Sequence, residues 1–290
     1  MLTLGLTITC MLWQGIATQT LLEVATSLNA SLFVKYVQDS GLAPAFTKNG
    51  QFTLFIPTDD AFNALPSDVK MQLTKEPELL RKVLMFHGVD GIKYSSMLSD
   101  ELEVESLVMD AKIRINIYNN PKPIVLASGS EVIRTDINAT NGVIHLLSRV
   151  MYPLPTADAV QFMAQNNQLG TLLYSVAMTP LRGILQAGGP FTIFAPNNDA
   201  FNKLPVGYWS DLFNQNYTAY VDMLKYHVVQ GTIYSEGLKS GPLTSYTRQT
   251  LHVHVNHNGV MINNGTVVQA DQTIKNGVIH IVDRVLIPGP

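Results

Sequence analysis

Residues 52–66 read FTLFIPTDDAFNALP, and residues 191–205 repeat the pattern as FTIFAPNNDAFNKLP, 139 positions later. A second block, NGVIH, stands at residues 141–145 and again at residues 276–280. Two blocks that recur in one order indicate that the chain arose by duplication. The period is much longer than the roughly 20–50 residues of a solenoid repeat, so each copy is predicted to be a whole domain.

The 290 residues of the chain suit two ordinary domains better than one. We expect the first domain to cover residues 18–153 and the second to cover residues 156–290. Residues 151–156 read MYPLPT, and two prolines in six residues predict a short, semi-stiff spacer. The two domains are therefore expected to sit in a restricted orientation.

The spacing of apolar residues in each copy predicts helices in its first part and strands in its later part. In the first copy, apolar residues recur at helical spacing from Leu32 to Val37, and Gly41 is a plausible stop. Residues 52–56 read as a strand, and residues 79–87 read as another helix. Later the apolar period changes to two, which is typical of a strand with one buried side and one side facing water. The alternating residues are Ile113, Ile115 and Ile117 against Arg114, Asn116 and Tyr118, and in the second copy Leu251, Val253 and Val255 against His252, His254 and Asn256.

The end of each copy is predicted to contain further strands, and together with the helices these give an α+β class. Asn263-Asn264-Gly265 between apolar runs predicts a hairpin turn. Residues 143–150 and 278–286 are expected to form the closing strands. Hydrophobic residues make up 46% of the chain and charged residues 14%, which excludes a disordered, charge-rich protein. The net charge of −3, with no basic run, gives no indication of nucleic-acid binding.

Residues 1–17 are predicted to be a signal peptide. They carry no charged residue, and Gly15-Ile16-Ala17 offers the small-x-small pattern that a signal peptidase reads. The alternative is a signal anchor, although the apolar run is shorter than the roughly 20 residues that a spanning helix needs. The single cysteine, Cys10, lies in this segment. Cleavage near Ala17 would leave a mature chain without cysteine that must be stable without disulfides.

Four N-x-S/T sequons support a secretory route and predict N-glycosylation. They begin at Asn29, Asn138, Asn216 and Asn264. The expected product is secreted, extracellular and without a membrane span.

The repeated blocks resemble the two conserved boxes of the fasciclin domain family. Phe-Thr-x-Phe-x-Pro-x-x-x-Ala-Phe is similar to its first box, and Asn-Gly-Val-Ile-His followed by Val five positions later is similar to its second. The resemblance covers nearly the whole chain after the leader. It implies two tandem domains, each a β-sheet wedge with packed helices, in a non-enzymatic adhesion or matrix protein without a cofactor.

The resemblance also implies contact residues. The Tyr-His motif of the family corresponds to Phe86-His87 in the first copy and to Tyr226-His227 in the second. An Asp-Ile pair just before the second box, used for integrin contact, is kept as Asp136-Ile137. The second copy has Asp271-Gln272 instead. The implied partners are integrin-like cell-surface receptors, other matrix proteins or glycans. A glycan on Asn138, two residues from Asp136, could shield the pair.

Two patterns have both a catalytic and a structural interpretation. Asp59-Asp60 could be paired acid–base carboxylates, but the second copy has Asn198-Asp199 there, and this exchange favours helix capping. His145 and His280 end the second box in each copy. Each could be a general base, but without a nucleophile motif nearby the favoured interpretation is a buried histidine bonded to backbone.

One histidine group suggests a metal site. His252 and His254 share one side of a predicted strand, with His257 close behind, as a surface zinc or copper site would require. The first copy has Arg114 and Asn116 at the matching positions, which favours ordinary solvent-facing residues. The function predicted is cell–cell or cell–matrix adhesion, and the alternative is a soluble carbohydrate-binding or hydrolytic protein.

Overall fold

The computed structural model describes residues 18–47, 50–120 and 122–288. The predicted leader at 1–17, with Cys10, lies outside the described residues. The rest forms two successive α+β units, as the sequence predicts, and each contains one seven-stranded sheet with helices packed on it.

Within the described residues, the first domain has six α-helices and seven strands. Its helices are α1 (Leu21–Ser27), α2 (Ser31–Asp39), α3 (Ala43–Thr47), α4 (Asp59–Asn63), α5 (Ser67–Lys75) and α6 (Pro77–Phe86). Its strands are β1 (Phe52–Pro57), β2 (Gly88–Asp90), β3 (Leu102–Glu105), β4 (Lys112–Asn120), β5 (Lys122–Ala127), β6 (Ser130–Ala139) and β7 (Gly142–Leu147). The strand order across the sheet is β2-β1-β7-β6-β5-β4-β3.

The second domain repeats this plan. Its helices are α7 (Ala159–Gln165), α8 (Gly170–Ala177), α9 (Leu181–Ala187), α10 (Asn198–Asn202), α11 (Tyr208–Gln215) and α12 (Tyr217–Tyr226). Its strands are β8 (Phe191–Pro196), β9 (Val228–Gln230), β10 (Gly241–Thr244), β11 (Thr250–Asn256), β12 (Gly259–Ile262), β13 (Gly265–Ile274) and β14 (Gly277–Val282). The strand order across its sheet is β10-β11-β12-β13-β14-β8-β9. Read from the β9 edge, this is the same order as in the first domain.

The two sequence boxes form neighbouring parallel strands. In the first domain β1 pairs with β7, and Phe52 lies opposite Gly142. A Cβ atom on Gly142 would lie 2.0 Å from the carbonyl oxygen of Phe52, so no larger residue fits. Gly277 has the same relation to Phe191, at 1.9 Å. The glycine of the second box is therefore required for the close approach of the two strands.

The predicted helix from Leu32 is confirmed, and its end follows a standard glycine pattern. Gly41 has φ of +68°, and its N–H donates to the carbonyl of Gln38. The N–H of Leu42 donates to the carbonyl of Val37. This pair of bonds is a Schellman motif, which satisfies carbonyls that the helix end would leave free. The predicted turn at Asn263-Asn264 also connects β12 to β13.

The domains contact each other through two reciprocal tyrosine–glycine contacts. The ring of Tyr118 in β4 packs so closely on Gly237 that a Cβ there would lie 2.6 Å away. The ring of Tyr234 packs in the same way on Gly129. The Tyr118 hydroxyl donates to the carbonyl of Thr232 (3.0 Å) and accepts from the N–H of Tyr234 (2.9 Å). Burial raises the pKa of both phenols, so both hydroxyls stay protonated.

This interface corrects one sequence prediction. Arg114 and Asn116 were expected to face water, but they are only 8% and 1% exposed. Arg114 forms an ion pair with Glu101 (2.9 Å), and Asn116 donates to the carbonyl of Thr232 in the second domain (3.3 Å). The prediction is wrong because the second domain covers this side of β4. The matching side of β11 is open, and His252 and His254 face solvent as expected.

The segment between the domains is packed and is not a free spacer. Met151 is buried, and Tyr152 and Leu154 pack against the core of the first domain. Arg149 extends across to Glu236, with 2.8 Å between guanidinium nitrogen and carboxylate oxygen. These contacts agree with the restricted orientation expected from the prolines.

We expect Gly142→Ala to destabilise the chain by roughly 3 kcal/mol, because its Cβ would collide with a backbone oxygen that β7 cannot avoid. Gly183→Ala is the control. Gly183 lies inside α9 with no atom near its Cβ position, so alanine should stabilise by about 0.5–1 kcal/mol. Urea unfolding of both variants measures the difference. Equal, small effects would contradict the packing described.

Gly237→Ala is expected to open the domain interface while each domain stays folded, since the new methyl group would overlap the Tyr118 ring. Small-angle X-ray scattering should give a larger radius of gyration than for the parent chain, with an unchanged circular dichroism spectrum. Gly183→Ala again serves as the control. A radius of gyration equal to that of the parent would show that the interface tolerates the methyl group.

Candidate functional site

The four residues of the Tyr-His motifs lie inside their domains. Phe86 and His87 end α6, and Tyr226 and His227 end α12. None of the four side chains is more than 2% exposed. These side chains are therefore buried in the folded domains, and their contact role stays a prediction.

The motif histidines connect two distant segments of each domain. His87 Nδ1 donates to the carbonyl of Val83 (2.7 Å), and its Nε2 accepts from the N–H of Met151 (3.0 Å). His227 Nδ1 bonds to the carbonyl of Met223 (2.8 Å), and its Nε2 accepts from the N–H of Leu286 (2.8 Å). Each ring therefore links a helix end to the segment after the closing strand.

These bonds require a neutral ring with its proton on Nδ1. Burial lowers the pKa of His87 and of His227 to about 4 because the charged form would lose its hydration. The helix-end carbonyls partly oppose this shift. Both histidines are thus neutral at physiological pH.

The copies differ at the aromatic residue of the motif. The Tyr226 hydroxyl donates to the carbonyl of Thr250 (2.6 Å) and accepts from the side-chain amide of Asn263 (3.0 Å). These bonds connect α12 to β11 and to the β12–β13 turn. Phe86 has no hydroxyl and contributes only apolar contacts to the first domain.

Asp136 lies at an irregularity of β6, where the backbone turns to φ of +58°. Its carboxylate accepts bonds from the N–H (2.7 Å) and hydroxyl of Ser95. Asp271 makes the same contacts with Ser235, at 2.7 and 2.5 Å. The aspartate is therefore a structural residue in both domains. The copies differ at the next position, which is Ile137 in the first domain and Gln272 in the second.

Ile137 packs partly against the core of the first domain and is half-buried. Among the six predicted contact residues, only Asp136 and Ile137 keep partial exposure.

The second-box histidines also bond to backbone, but with the opposite proton position. His145 Nε2 donates to the carbonyl of Lys93 (2.8 Å), and its Nδ1 accepts from the N–H of Asp136 (3.4 Å). His280 makes the equivalent bonds to Ile233 (2.8 Å) and Asp271 (3.2 Å). Burial lowers the pKa of both rings. This is the buried, bonded arrangement that was favoured over a general base.

Asp59 of the Asp59-Asp60 pair is a helix cap, and Thr58 before it caps α4. Thr58 accepts from the N–H of Ala61 (3.1 Å). Asp59 accepts from the N–H of Leu32 (2.7 Å) and so caps α2. Asn198 makes the matching bond to Thr171 (3.0 Å) in the second domain. An uncharged amide performs the same task, so no titrating group is needed there.

The surface histidines do not assemble into a metal cluster. His252 and His254 line an open cavity of about 770 Å³ with Tyr226 and Arg248, and His257 is not among its lining residues. Within residues 18–47, 50–120 and 122–288, no three His, Cys, Asp or Glu side chains are placed to share an ion. The metal site was suggested by alternation along the strand, which places His252 and His254 on one side of β11 but supplies no further ligand.

All four predicted glycosylation residues are exposed. They are Asn29, Asn138, Asn216 and Asn264. The Asn138 side-chain oxygen accepts from the Tyr94 hydroxyl (3.0 Å), and that of Asn216 caps α12 through Ala219 (3.1 Å). Their modification stays a prediction. Over the described part of the chain, no helix combines the length and apolar character needed to cross a membrane.

The chain matches a family model described as Fasciclin domain twice, at residues 28–153 and 167–288. It is 29% identical over 250 residues to the transforming growth factor-beta-induced protein ig-h3 of Sus scrofa, covering 85% of this chain and 36% of that protein. It is 27% identical over 264 residues to human periostin, covering 90% of this chain and 31% of periostin. The chain thus spans about a third of the length of these relatives.

A match that covers one domain has a higher sequence identity. Protein sll1483 of Synechocystis is 41% identical over 130 residues, which is 44% of this chain and 72% of that protein. Among solved structures, a FAS1 domain pair from the insect cell adhesion molecule fasciclin I covers 90% of this chain and 98% of its own, with TM-score 0.40 and 16% identity.

The motif histidines make stability depend on pH. Because the folded pKa of His87 and His227 is depressed from 6.5 to about 4, the unfolded chain binds more protons, and stability falls as pH falls below about 6.5. We expect each ring to contribute a loss of roughly 2 kcal/mol between about pH 7 and pH 5, in urea unfolding.

Imidazole nitrogen NMR is the direct check of the same prediction. His87 and His227 should show the Nδ1–H form and be neutral at about pH 6, and His145 and His280 should show the Nε2–H form. Protonation of His87 or His227 near pH 6.5 in the folded chain would contradict the bonds described.

Proposed function

This chain belongs to the fasciclin domain family, and from that membership we propose that it is a secreted adhesion protein of the extracellular matrix. The adhesive role is what the family resemblance implies. The observation that carries the proposal for this chain is the docked domain pair. It holds two different outer surfaces at a fixed spacing, as a bridging protein requires.

The interface supports a rigid bridge. Leu126 from the first domain and Tyr234 and Val278 from the second are buried together. Around them, Glu101 accepts from the backbone N–H of Thr232 (2.5 Å), and polar bonds surround the apolar centre. A fixed pair presents its two outer surfaces at constant separation, and this raises avidity when both contact one partner surface.

The direct contact is proposed to lie at Asp136 and Ile137. The Ser95 bonds fix the position of the carboxylate, and lone pairs on its oxygens stay available for a partner. Ile137 supplies the apolar neighbour that the second domain lacks. Phe86-His87 and Tyr226-His227 then act by holding the domains in shape. The proposed partners are integrin-like receptors, other matrix proteins or glycans.

Cell attachment to the immobilised full chain tests this contact. Ile137→Gln gives the first domain the Asp-Gln pair of the second, and we expect attachment to need roughly fivefold more coated protein. Gln272→Ile in that background builds the Asp-Ile pair in the other domain and should restore attachment. Urea unfolding controls for lost core packing at Ile137.

Two results would overturn the proposal at different levels. Attachment that is unchanged in folded Ile137→Gln would remove Asp136-Ile137 as the contact. No attachment of any adherent cell type to the parent chain, with or without divalent cations, would remove the adhesive function itself.

A further inference from the structure

The first domain contains a cavity of about 500 Å³ among its helices α2, α4, α5 and α6. Its apolar wall includes Leu32, Tyr36, Phe62, Leu73, Pro77 and Leu80. This volume lies within the range of roughly 300–1,000 Å³ typical of small-molecule sites.

The second domain carries aromatic rings at positions aligned with part of this lining. Helices α6 and α12 are both ten residues long and begin 140 positions apart, at Pro77 and Tyr217. On this register Leu80 corresponds to Tyr220, and Leu73 corresponds to Phe213. The Phe213 and Tyr220 ring centroids are 5.1 Å apart, and the Phe213 and Tyr217 centroids are 5.7 Å apart.

Three aromatic side chains of the second domain are thus replaced by leucine, proline and leucine in the first. The three smaller residues all line the cavity. The cavity of the first domain is therefore lined at the three aligned positions where the second domain carries rings, and the second domain indicates which chemistry suits these positions.

The remaining walls suit an aromatic ring with a hydroxyl group. The ring centroids of Tyr36 and Phe62 are 5.3 Å apart, so the wall offers tilted aromatic faces, on which a further ring packs well. In the second domain the Tyr217 hydroxyl donates to the carbonyl of Met178 (3.0 Å). The matching position in the first domain is Asp39, which lies at the cavity rim and offers carbonyl and carboxylate acceptors.

The alignment of Asp39 with Met178 is based on a contact that both domains make. Leu32 and Thr171 each donate a backbone N–H to the residue after the α4 or α10 N-cap, Asp59 or Asn198. Counting seven residues from each leads to Asp39 and Met178. Lys35 forms an ion pair with Asp39 at 2.6 Å and places a cation at the same rim.

We propose that this cavity of the first domain binds a small phenolic ligand, whose ring takes the place of the tyrosine rings in the second domain and whose hydroxyl donates to Asp39. The site does not depend on the adhesive function, because it lies on the helices and away from Asp136-Ile137.

Titration of the full chain with 4-methylphenol, which is the tyrosine side chain as a free molecule, tests the proposal. Amide NMR should show saturable binding of one equivalent, with shifts at Tyr36, Leu73 and Leu80. The saturated analogue 4-methylcyclohexanol keeps the hydroxyl but has no aromatic ring, and it should bind at least about fivefold more weakly.

Exchanging residues between the copies provides matched variants. Leu73→Phe with Leu80→Tyr fills the cavity with the residues of the second domain and should weaken binding by about tenfold or more. Phe213→Leu with Tyr220→Leu opens the equivalent space and should add a second binding equivalent. Circular dichroism confirms that each variant is folded.

The proposal is overturned if 4-methylphenol causes no saturable shifts, or if the shifts lie outside this cavity. Binding that is unchanged in the folded, filled variant would overturn it as well. If the filled variant does not fold, the absence of a second equivalent in the opened variant decides against it.

Discussion

The parallel contact between β1 and β7 is the constraint on which the rest of each domain depends. It joins the two sequence boxes, which are far apart in the chain, and it needs Gly142 because the backbones approach too closely for a side chain. The His145 ring then packs at a tilt against the Phe55 ring, with 5.1 Å between the centroids, and bonds to the backbone of Lys93 and Asp136. One buried, neutral ring thereby fixes three segments relative to the central strands, and the same set recurs around His280.

Duplication preserved this framework and changed the surfaces around it. The domain interface is heterologous, since the first domain contributes Tyr118 of β4 and Leu126 of β5, whereas the second contributes Tyr234 from the loop after β9 and Val278 of β14. A heterologous contact uses a different surface on each partner. The equivalent of Tyr234 in the first domain, Tyr94, is consequently exposed, while Arg114 is buried where its counterpart His252 faces solvent. Unequal burial of equivalent residues follows directly from the docking.

The sequence predicted most of the fold because the signals were local or repeated. Helical spacing before Gly41, the helix capping expected at Asp59 and the turn at Asn263-Asn264 depend on neighbouring residues, and each box occurs in both copies. The buried state of Arg114 and Asn116 could not be predicted, because alternation along a strand separates two sides but does not show whether another domain covers one of them. The cavity among the helices of the first domain could not be predicted for a similar reason, because a space between helices is apparent only when their packing is known.

The position of the motif residues changes how an adhesion motif in this chain has to be understood. His87 and His227 lie at helix ends, and each holds the segment that follows its closing strand. Replacing such a residue removes a buried hydrogen bond and leaves its former partner unpaired, which costs stability throughout the domain. Loss of adhesion after such a replacement would therefore be expected even if no partner ever touched the ring. A contact residue is distinguished from a framework residue only when adhesion falls while stability is retained. Among the predicted residues we propose the half-buried Ile137 for this comparison, because its apolar side chain makes no hydrogen bond whose loss would destabilise the domain.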